Sequence, residues 1–232
     1  TLYMMFPRVI PVAAMLFLPL ALGLSGQVYW QKVMVVTCVI SVLALSWDYL
    51  ASLGLVSLGQ AFFFGIGGFI SGALNHYLGW SPLWTIPVAT LGGGLICTAV
   101  LAPVLRLKGI YFSMVTLALP LLVARVIEAT RIFGGTEGLA GLTPLPNIWV
   151  ASYLIIGVLL ICLFGLRRLI NTDYGLVLRG IKDNDRGIMA SGTNIHRARA
   201  EAVFVTSMIG AFAGAFMTHY YRFVGIPAFA LD

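Results

Sequence analysis

The stretch Tyr49–Leu105, YLASLGLVSLGQAFFFGIGGFISGALNHYLGWSPLWTIPVATLGGGLICTAVLAPVL, decides the fold because it holds no Asp, Glu, Lys or Arg in 57 residues. One helical crossing of a bilayer needs about 20 apolar residues, each rising about 1.5 Å. The stretch is therefore long enough to cross more than once and must fold back on itself. We predict the turn at His76–Pro82, where Gly, Ser and Pro cluster.

The rest of the chain has the same character. Hydrophobic residues make up 60% of it and charged residues 9%, with a mean hydropathy of +0.98, whereas soluble domains carry about 25% charged residues. About seven hydrophobic segments are predicted, near residues 9–24, 33–50, 55–75, 83–105, 109–127, 148–166 and 201–221. We expect an all-α, polytopic integral membrane protein, with residues 1–232 forming a single transmembrane domain.

The distribution of basic residues predicts the orientation, because cytoplasmic loops hold an excess of Lys and Arg. If the N-terminus is inside and each segment crosses once, only Lys32, Arg131 and Arg222 face outward, with Arg125 inside a span. The basic residues then predicted to face the cytoplasm are Arg8, Arg106, Lys108, Arg167, Arg168, Arg179, Lys182, Arg186, Arg197 and Arg199. This bias accounts for the net charge of +6, and nucleic-acid binding has no support.

One long polar segment, residues 167–199, carries seven of the fourteen Lys and Arg residues. Within it Tyr174, Leu178, Ile181 and Ile188 recur at the spacing of one helical face. We predict an amphipathic cytoplasmic helix over Tyr174–Ala190, stopped by Gly192. The remaining positions of this helix are occupied by Arg179, Lys182, Asp183, Asp185 and Arg186. A solvated cytoplasmic loop is the alternative.

Motifs for chemistry are not found in the sequence. There is no GxxxxGK[ST] phosphate loop, so nucleotide hydrolysis is expected on another chain. Cys38, Cys97 and Cys162 lie mid-span without CxxC spacing, which favours packing. His76 and His219, near outer span ends, are expected to be wet interfacial side chains. No catalytic residue, metal site or cofactor is predicted.

Polar residues within the apolar segments are the candidates for a translocation path. Ser57 and Gln60 lie in the Gly-rich stretch 52–72, and Ser113 and Thr116 lie in a segment predicted to break at Pro120. Intramembrane polar groups need a wet or paired setting. The same stretch also fits helix packing through small residues, so both interpretations stay open.

Three further features lie at the ends of the spans. Asp48 is expected to reach interfacial water, and Arg125 with Glu128 is expected to form an i, i+3 pair. The outward loop containing Gly134–Gly141 is interpreted either as a flexible linker or as a lip that contacts an external partner or the pore mouth.

Three ordered blocks carry a family resemblance: VSLGQAFFFGIGGF at Val56–Phe69, RLKGIYFSMVTLAL at Arg106–Leu119, and the stretch Tyr174–Met217. With these blocks the chain resembles the branched-chain amino acid type of ABC-importer permease, LivM-type subunits in particular. Gln60 stands where the family commonly has His. Since family members usually continue through further spans, we expect a truncated or partial subunit.

The resemblance implies a permease subunit, itself not an enzyme, of a binding-protein-dependent importer in the bacterial inner membrane. Its implied partners are a second homologous permease, two cytoplasmic ATPases, a periplasmic or lipid-anchored solute-binding protein and the lipid bilayer. The implied solute is a branched-chain amino acid or a related small polar solute, such as urea, a short amide or another amino acid. The residues implied to couple to the ATPase are Arg179, Lys182, Asp183, Asn184, Asp185, Arg186 and Gly192. A self-sufficient channel or secondary carrier is the alternative.

The predicted orientation can be tested by cysteine labelling in a background that lacks the three native cysteines. Asp183→Cys should stay unmodified when intact cells meet a membrane-impermeant thiol reagent, whereas Glu137→Cys, in the outward loop, should be modified. Lysis should make both positions reactive. Modification of the cysteine at 183 in intact cells would contradict the orientation.

Overall fold

The computed structural model describes residues 15–23, 26, 28–107, 109–183, 185–190 and 192–230. Residues 15–23 are helical. The helices that follow are α1 (Val28–Ser52), α2 (Gln60–Leu78), α3 (Pro82–Leu101), α4 (Ile110–Thr130), α5 (Ile148–Ile170), α6 (Asp173–Asp183), α7 (Asp185–Ala190) and α8 (Ile195–Tyr221). Short 3₁₀ turns occur at Val104–Arg106, Ile132–Gly134 and Ile226–Phe229, and β1 (Leu139–Ala140) pairs antiparallel with β2 (Phe223–Val224).

Within the described residues, five helices are long and apolar enough to cross a membrane: α1, α3, α4, α5 and α8. The predicted all-α polytopic architecture is confirmed. The first predicted segment, 9–24, lies partly outside the described residues. The third, predicted from residue 55, begins as a helix only at Gln60, because residues 55–59 have an irregular backbone.

The predicted turn within the long uncharged stretch is confirmed. Helix α2 ends at Leu78, and Gly79 follows with φ +65°, a left-handed conformation in which its N–H donates to the Asn75 carbonyl. Pro82 begins α3 after the extended Ser81. Glycine suits the left-handed position and proline suits a first helical turn.

Helices α2, α3 and α8 approach closely because small residues face one another. A Cβ atom on Gly67 would overlap the backbone of Ala211, and one on Gly214 would overlap the Phe64 carbonyl. A Cβ on Gly93 would lie 2.7 Å from the Ala211 Cβ. Close backbone approach of this kind is how membrane helices associate. The packing interpretation of the Gly-rich stretch is therefore correct for α2.

A second layer forms where α1 packs against α5 and α8. Its core is built from β-branched and long aliphatic side chains, including Val35, Val42, Leu50, Ile155 and Ile156, each exposed by 1% or less. Cys38, Cys97 and Cys162 are free and buried, as the packing interpretation predicts. The two layers share α8, which is the central helix of the bundle.

Helix α4 is not broken at Pro120, so that prediction was wrong. The helix runs from Ile110 to Thr130 with Pro120 inside it, and α3 likewise contains Pro87. Proline is tolerated in membrane helices because neighbouring groups can satisfy the carbonyl that loses its hydrogen bond.

The amphipathic segment is not one helix over Tyr174–Ala190, contrary to the prediction. It forms α6 and α7, on either side of residue 184. A Cβ on Gly180 would lie 2.8 Å from the Ile188 Cδ1, although residues eight apart in a straight helix are separated by about 12 Å. The chain therefore folds back. Gly180 leaves the space into which Ile188 packs, so this side chain is covered instead of extending into water.

Residues predicted to lie on one side of the membrane are found at one end of the bundle, and residues predicted to lie on the other side are found at the other end. At one end the Arg199 Nη1 donates to the Leu105 carbonyl (3.2 Å), and the Tyr174 hydroxyl donates to the Ala198 carbonyl (3.0 Å). At the other end, the Asn75 side chain binds both the hydroxyl and the N–H of Thr143 (2.8 and 2.9 Å).

The outward loop, interpreted as either a flexible linker or a lip, is packed against the end of the bundle where Asn75 meets Thr143, so it is not a flexible linker. β1 lies in this loop, and Leu139 and Leu142 are 4% and 2% exposed. His219 is also buried, contrary to the expected wet setting. Its Nε2 lies 2.9 Å from the Ser71 hydroxyl and 2.6 Å from the Thr85 hydroxyl, and its Nδ1 lies 2.8 Å from the Thr143 carbonyl. Two helices and a loop surround the imidazole and exclude water.

The close approach of α2 and α8 predicts opposite effects of two glycine substitutions. Gly67→Ala should destabilise the protein by several kcal/mol, because the backbone of Ala211 cannot yield to the new methyl group. Gly92→Ala, whose Cβ would meet nothing within 4 Å, should be neutral or stabilising by up to about 1 kcal/mol through helix propensity. Thermal unfolding of the two variants in the same detergent measures the difference, and equal midpoints would contradict this packing.

Candidate functional site

The four residues predicted for the translocation path come together at one place. Ser57 belongs to the irregular segment Leu55–Gly59, Gln60 begins α2, and Ser113 and Thr116 lie in the first two turns of α4. We call residues 55–59, together with Gln60, Ser113 and Thr116, the 55–59 cluster. The cluster lies near the ends of the helices, at the end where Arg199 meets Leu105.

Helix α4 satisfies the irregular backbone of the cluster. The Ser113 hydroxyl donates to the Val56 carbonyl at 2.6 Å. The Leu58 N–H donates to the Thr116 hydroxyl at 3.1 Å, and that hydroxyl donates to the Ser113 carbonyl at 3.0 Å. Non-helical backbone at membrane depth persists only where protein groups or water satisfy it. Ser113 and Thr116 supply those groups.

The other side of the cluster is held by α1. The Trp47 indole N–H donates to the Ser57 carbonyl at 2.8 Å, and the buried Ser57 hydroxyl accepts from the Gly59 N–H at 3.2 Å. Sequence reasoning missed Trp47, because an indole next to an aspartate at a span end is typical of an interfacial anchor. Its role depends on a contact ten residues away, which no local pattern reveals.

Gln60 is the one predicted path residue with an unsatisfied group among the described residues. Its Oε1 lies 3.2 Å from the Ser46 hydroxyl, while its Nε2 is buried without a hydrogen-bond partner. The Ser46 hydroxyl also donates to the Leu43 carbonyl at 2.8 Å and has only one proton to give. Turning the amide by 180° would let Nε2 donate to Ser46 while Ser46 donates to Leu43, and would leave Oε1 in the position without a partner. Gln60 is therefore a polar side chain whose partners depend on its rotation.

The predicted coupling residues lie on and around α6 and α7. Arg179 and Lys182 are exposed, whereas Asn184 and the side chains of Asp183, Asp185 and Arg186 lie outside the described residues. Gly192 has φ +82°, and its N–H donates to the Met189 carbonyl at 3.0 Å. The predicted helix stop at Gly192 is confirmed by this left-handed turn after α7.

The apolar face of α6 is anchored in the bundle. Leu178 and Ile181 are 1% and 2% exposed and belong to the main hydrophobic core. A Cβ on Gly54 would lie 2.9 Å from the Lys182 Cγ, so the Lys182 stem packs against the turn that leads into the 55–59 cluster. Gly54 has φ +80°, a conformation that favours glycine. The polar segment is thus in direct contact with the turn that precedes the cluster.

Other polar positions behave mostly as predicted. Asp48 is exposed, and Arg125 forms its i, i+3 ion pair with Glu128 at 2.7 Å. Arg199, predicted to lie on the cytoplasmic side, is 8% exposed. Its guanidinium reaches inward to the Leu105 carbonyl, because the start of α8 lies against the 3₁₀ turn Val104–Arg106 that follows α3.

The family described as "Branched-chain amino acid transport system / permease component" matches residues 29–231. The chain belongs to this family. A permease of this family with the apolar helices found here is a multi-pass membrane protein.

Curated relatives agree with the family. The chain is 27% identical, over 68% of its length and 52% of the relative, to a probable branched-chain amino acid transport permease protein LivM of Methanocaldococcus jannaschii. It is 26% identical, over 76% of its length and 49% of the relative, to the high-affinity branched-chain amino acid transport system permease protein LivM of Escherichia coli. The permease chain spans about half the length of the curated relatives it matches. No solved structure matches it.

The bond between Leu58 and Thr116 predicts a stability effect in this permease. Thr116→Val removes the acceptor of the Leu58 N–H and should lower the free energy of unfolding by about 1–3 kcal/mol. Thr116→Ser keeps the hydroxyl and should retain most of that stability. Thermal unfolding in detergent provides the measurement.

A matched control is available on the same helix. The Thr130 hydroxyl donates only to the Val126 carbonyl one turn earlier in α4. Thr130→Val should therefore change the unfolding midpoint little. If it lowers stability as much as Thr116→Val does, the effect belongs to α4 in general and not to the 55–59 cluster.

Proposed function

We propose that the chain is the transmembrane permease subunit of a binding-protein-dependent ABC importer in the bacterial inner membrane. Its solute would be a branched-chain amino acid or a related small polar solute such as urea, a short amide or another amino acid. The partners would be a second homologous permease, two cytoplasmic ATPases and a periplasmic or lipid-anchored solute-binding protein. The family and the names of the relatives, which are branched-chain amino acid transport permeases, support this proposal.

One observation carries the proposal: the contact of the Lys182 stem with Gly54. A membrane subunit driven by a separate ATPase needs a surface element whose displacement reaches the solute path. Helix α6 has an exposed charged face and a buried apolar face, and it touches the turn that precedes the 55–59 cluster. A push on α6 would reach Ser57 and Gln60 through only a few residues of chain.

In this proposal the residues have two roles. Arg179, Lys182, Asp183, Asn184, Asp185, Arg186 and Gly192 would form or shape the ATPase-facing surface. Ser57, Gln60, Ser113 and Thr116 would border the translocation path at its ATPase-facing end. Ser113 and Thr116 hold the irregular backbone, while Gln60, whose amide can pair in two ways, is the side chain most suited to meet a polar solute.

A self-sufficient channel or secondary carrier is the rival function. The two functions differ in one requirement, because an ABC permease transports only with its ATPase and a channel or carrier transports without it. Uptake by proteoliposomes that contain the membrane subunits, measured with and without the ATPase, separates them. Uptake that needs no ATPase would overturn the importer proposal.

The proposed coupling surface predicts the effect of charge reversal. Asp183→Lys combined with Asp185→Lys should release the ATPase, because like charges facing each other across an interface cost several kcal/mol. We expect ATPase co-purification and ATP-dependent uptake to fall together, by about tenfold or more.

A matched control reverses the same number of charges at the other end of the bundle. Glu128 and Glu137 lie at that end, so Glu128→Lys with Glu137→Lys should leave the ATPase bound. If the double aspartate variant co-purifies with its ATPase and transports normally, the coupling assignment is wrong.

A further inference from the structure

A cavity of about 500 Å³ opens where α1, α5 and α6 meet, at the end of the bundle that carries the polar segment. Its polar lining consists of Asp48, Tyr49, Arg167, Asn171 and Arg179. Apart from Arg179, which also belongs to the proposed coupling surface, no residue that lines the cavity has a role in the proposed transport. We call it the interfacial cavity.

The lining changes from apolar to polar along the helices. Leu45 lies one turn further into α1 than Asp48, and Leu163 lies one turn further into α5 than Arg167. Both leucines line the cavity together with the polar side chains. A ligand that fits must therefore be apolar at the membrane side and polar at the aqueous side.

The charges of the cavity favour an anion. Arg167 and Arg179 are exposed, and neither has an ion-pair or hydrogen-bond partner among the described residues. Asp48 is the one carboxylate in the lining and is also unpaired within the described chain. Two guanidinium groups against one carboxylate leave a net positive charge. Arginine matches phosphate oxygens particularly well, because its fork of N–H groups can donate two parallel hydrogen bonds.

We propose that the interfacial cavity binds an anionic phospholipid. The phosphate headgroup lies between Arg167 and Arg179, and the start of an acyl chain contacts Leu45 and Leu163. Basic pockets between membrane helices on the cytoplasmic side suit such headgroups. Because Arg179 lies on α6 and Arg167 on α5, the lipid joins the polar segment to the transmembrane helices. This site is independent of which solute the protein carries.

Titration of the detergent-purified protein with phosphatidylglycerol or phosphatidylcholine, followed by native mass spectrometry, tests the site. The wild-type protein should bind phosphatidylglycerol in preference to phosphatidylcholine. Arg167→Gln with Arg179→Gln should weaken phosphatidylglycerol binding roughly 10- to 30-fold and leave phosphatidylcholine binding unchanged, from about 1 kcal/mol for each arginine. Asp48→Asn should strengthen phosphatidylglycerol binding, because it removes the one carboxylate of the lining.

Two controls separate the cavity from general surface charge. Arg106→Gln with Arg168→Gln removes two charges at the same end of the bundle from residues that do not line the cavity, and it should change binding less than about threefold. Leu163→Trp fills the cavity without a change in charge and should weaken binding, whereas Phe164→Trp, outside the lining, should not. The thermal unfolding midpoint of each variant identifies any that has lost its fold, and the Leu163→Trp and Phe164→Trp pair then decides.

Four results would overturn the proposal. They are equal binding of the two lipids, equal loss in the cavity and control variants, displacement of phosphatidylglycerol by inorganic phosphate, and release of a bound ATPase without loss of lipid. The third would make the cavity a site for a soluble anion. The fourth would indicate that the cavity binds an acidic side chain of the ATPase instead of a lipid.

Discussion

The structure depends on one constraint: backbone N–H and C=O groups at membrane depth must find partners within the protein. The chain meets this constraint with helices nearly everywhere, and residues 55–59 are an exception because their backbone is not helical. There the Ser113 and Thr116 hydroxyls take over the hydrogen bonding that a helix would have supplied. These two hydroxyls of α4 hold the break together with the Trp47 indole of α1. We expect a segment held by side chains to change shape more easily than the close-packed helices around it.

The close packing around α8 fixes what surrounds this break. Glycine and alanine bring α2 and α3 against α8 so tightly that a single methyl group at Gly67 has no room. Helix α1 packs on the other side of α8 with branched side chains. The irregular segment 55–59 is therefore a short non-helical stretch next to two close-packed layers of helices. Lys182 contacts Gly54, so the polar segment touches the turn that leads into this stretch.

Much of the fold could be predicted from the sequence, because the length of each apolar segment and the distribution of charged residues do not depend on contacts between distant residues. The return at Gly79 and the left-handed turn at Gly192 followed from the conformational preferences of glycine. Errors arose where a contact distant in the sequence overrode a local pattern. Ile188 fits the face of one long helix, but it packs on Gly180 and turns the chain. His219 was predicted to be a wet interfacial residue because it lies near a span end, but it is buried by partners from α2, α3 and a loop that are distant in the sequence. The candidate cluster was predictable as residues and not as an arrangement, since the role of Trp47 depends on the path of the 55–59 backbone.

The buried imidazole of His219 has a mechanical consequence. The His219 ring, on α8, contacts Ser71 of α2, Thr85 of α3 and the Thr143 carbonyl of the loop. The pairing of β1 with β2 joins the same loop to the residues that follow α8. These elements cannot separate at that end without breaking several buried hydrogen bonds together. The opposite end holds the irregular segment, the folded-back α6 and α7 and an open cavity. We therefore expect force on α6 to displace the end that holds the irregular segment more than the end held by His219.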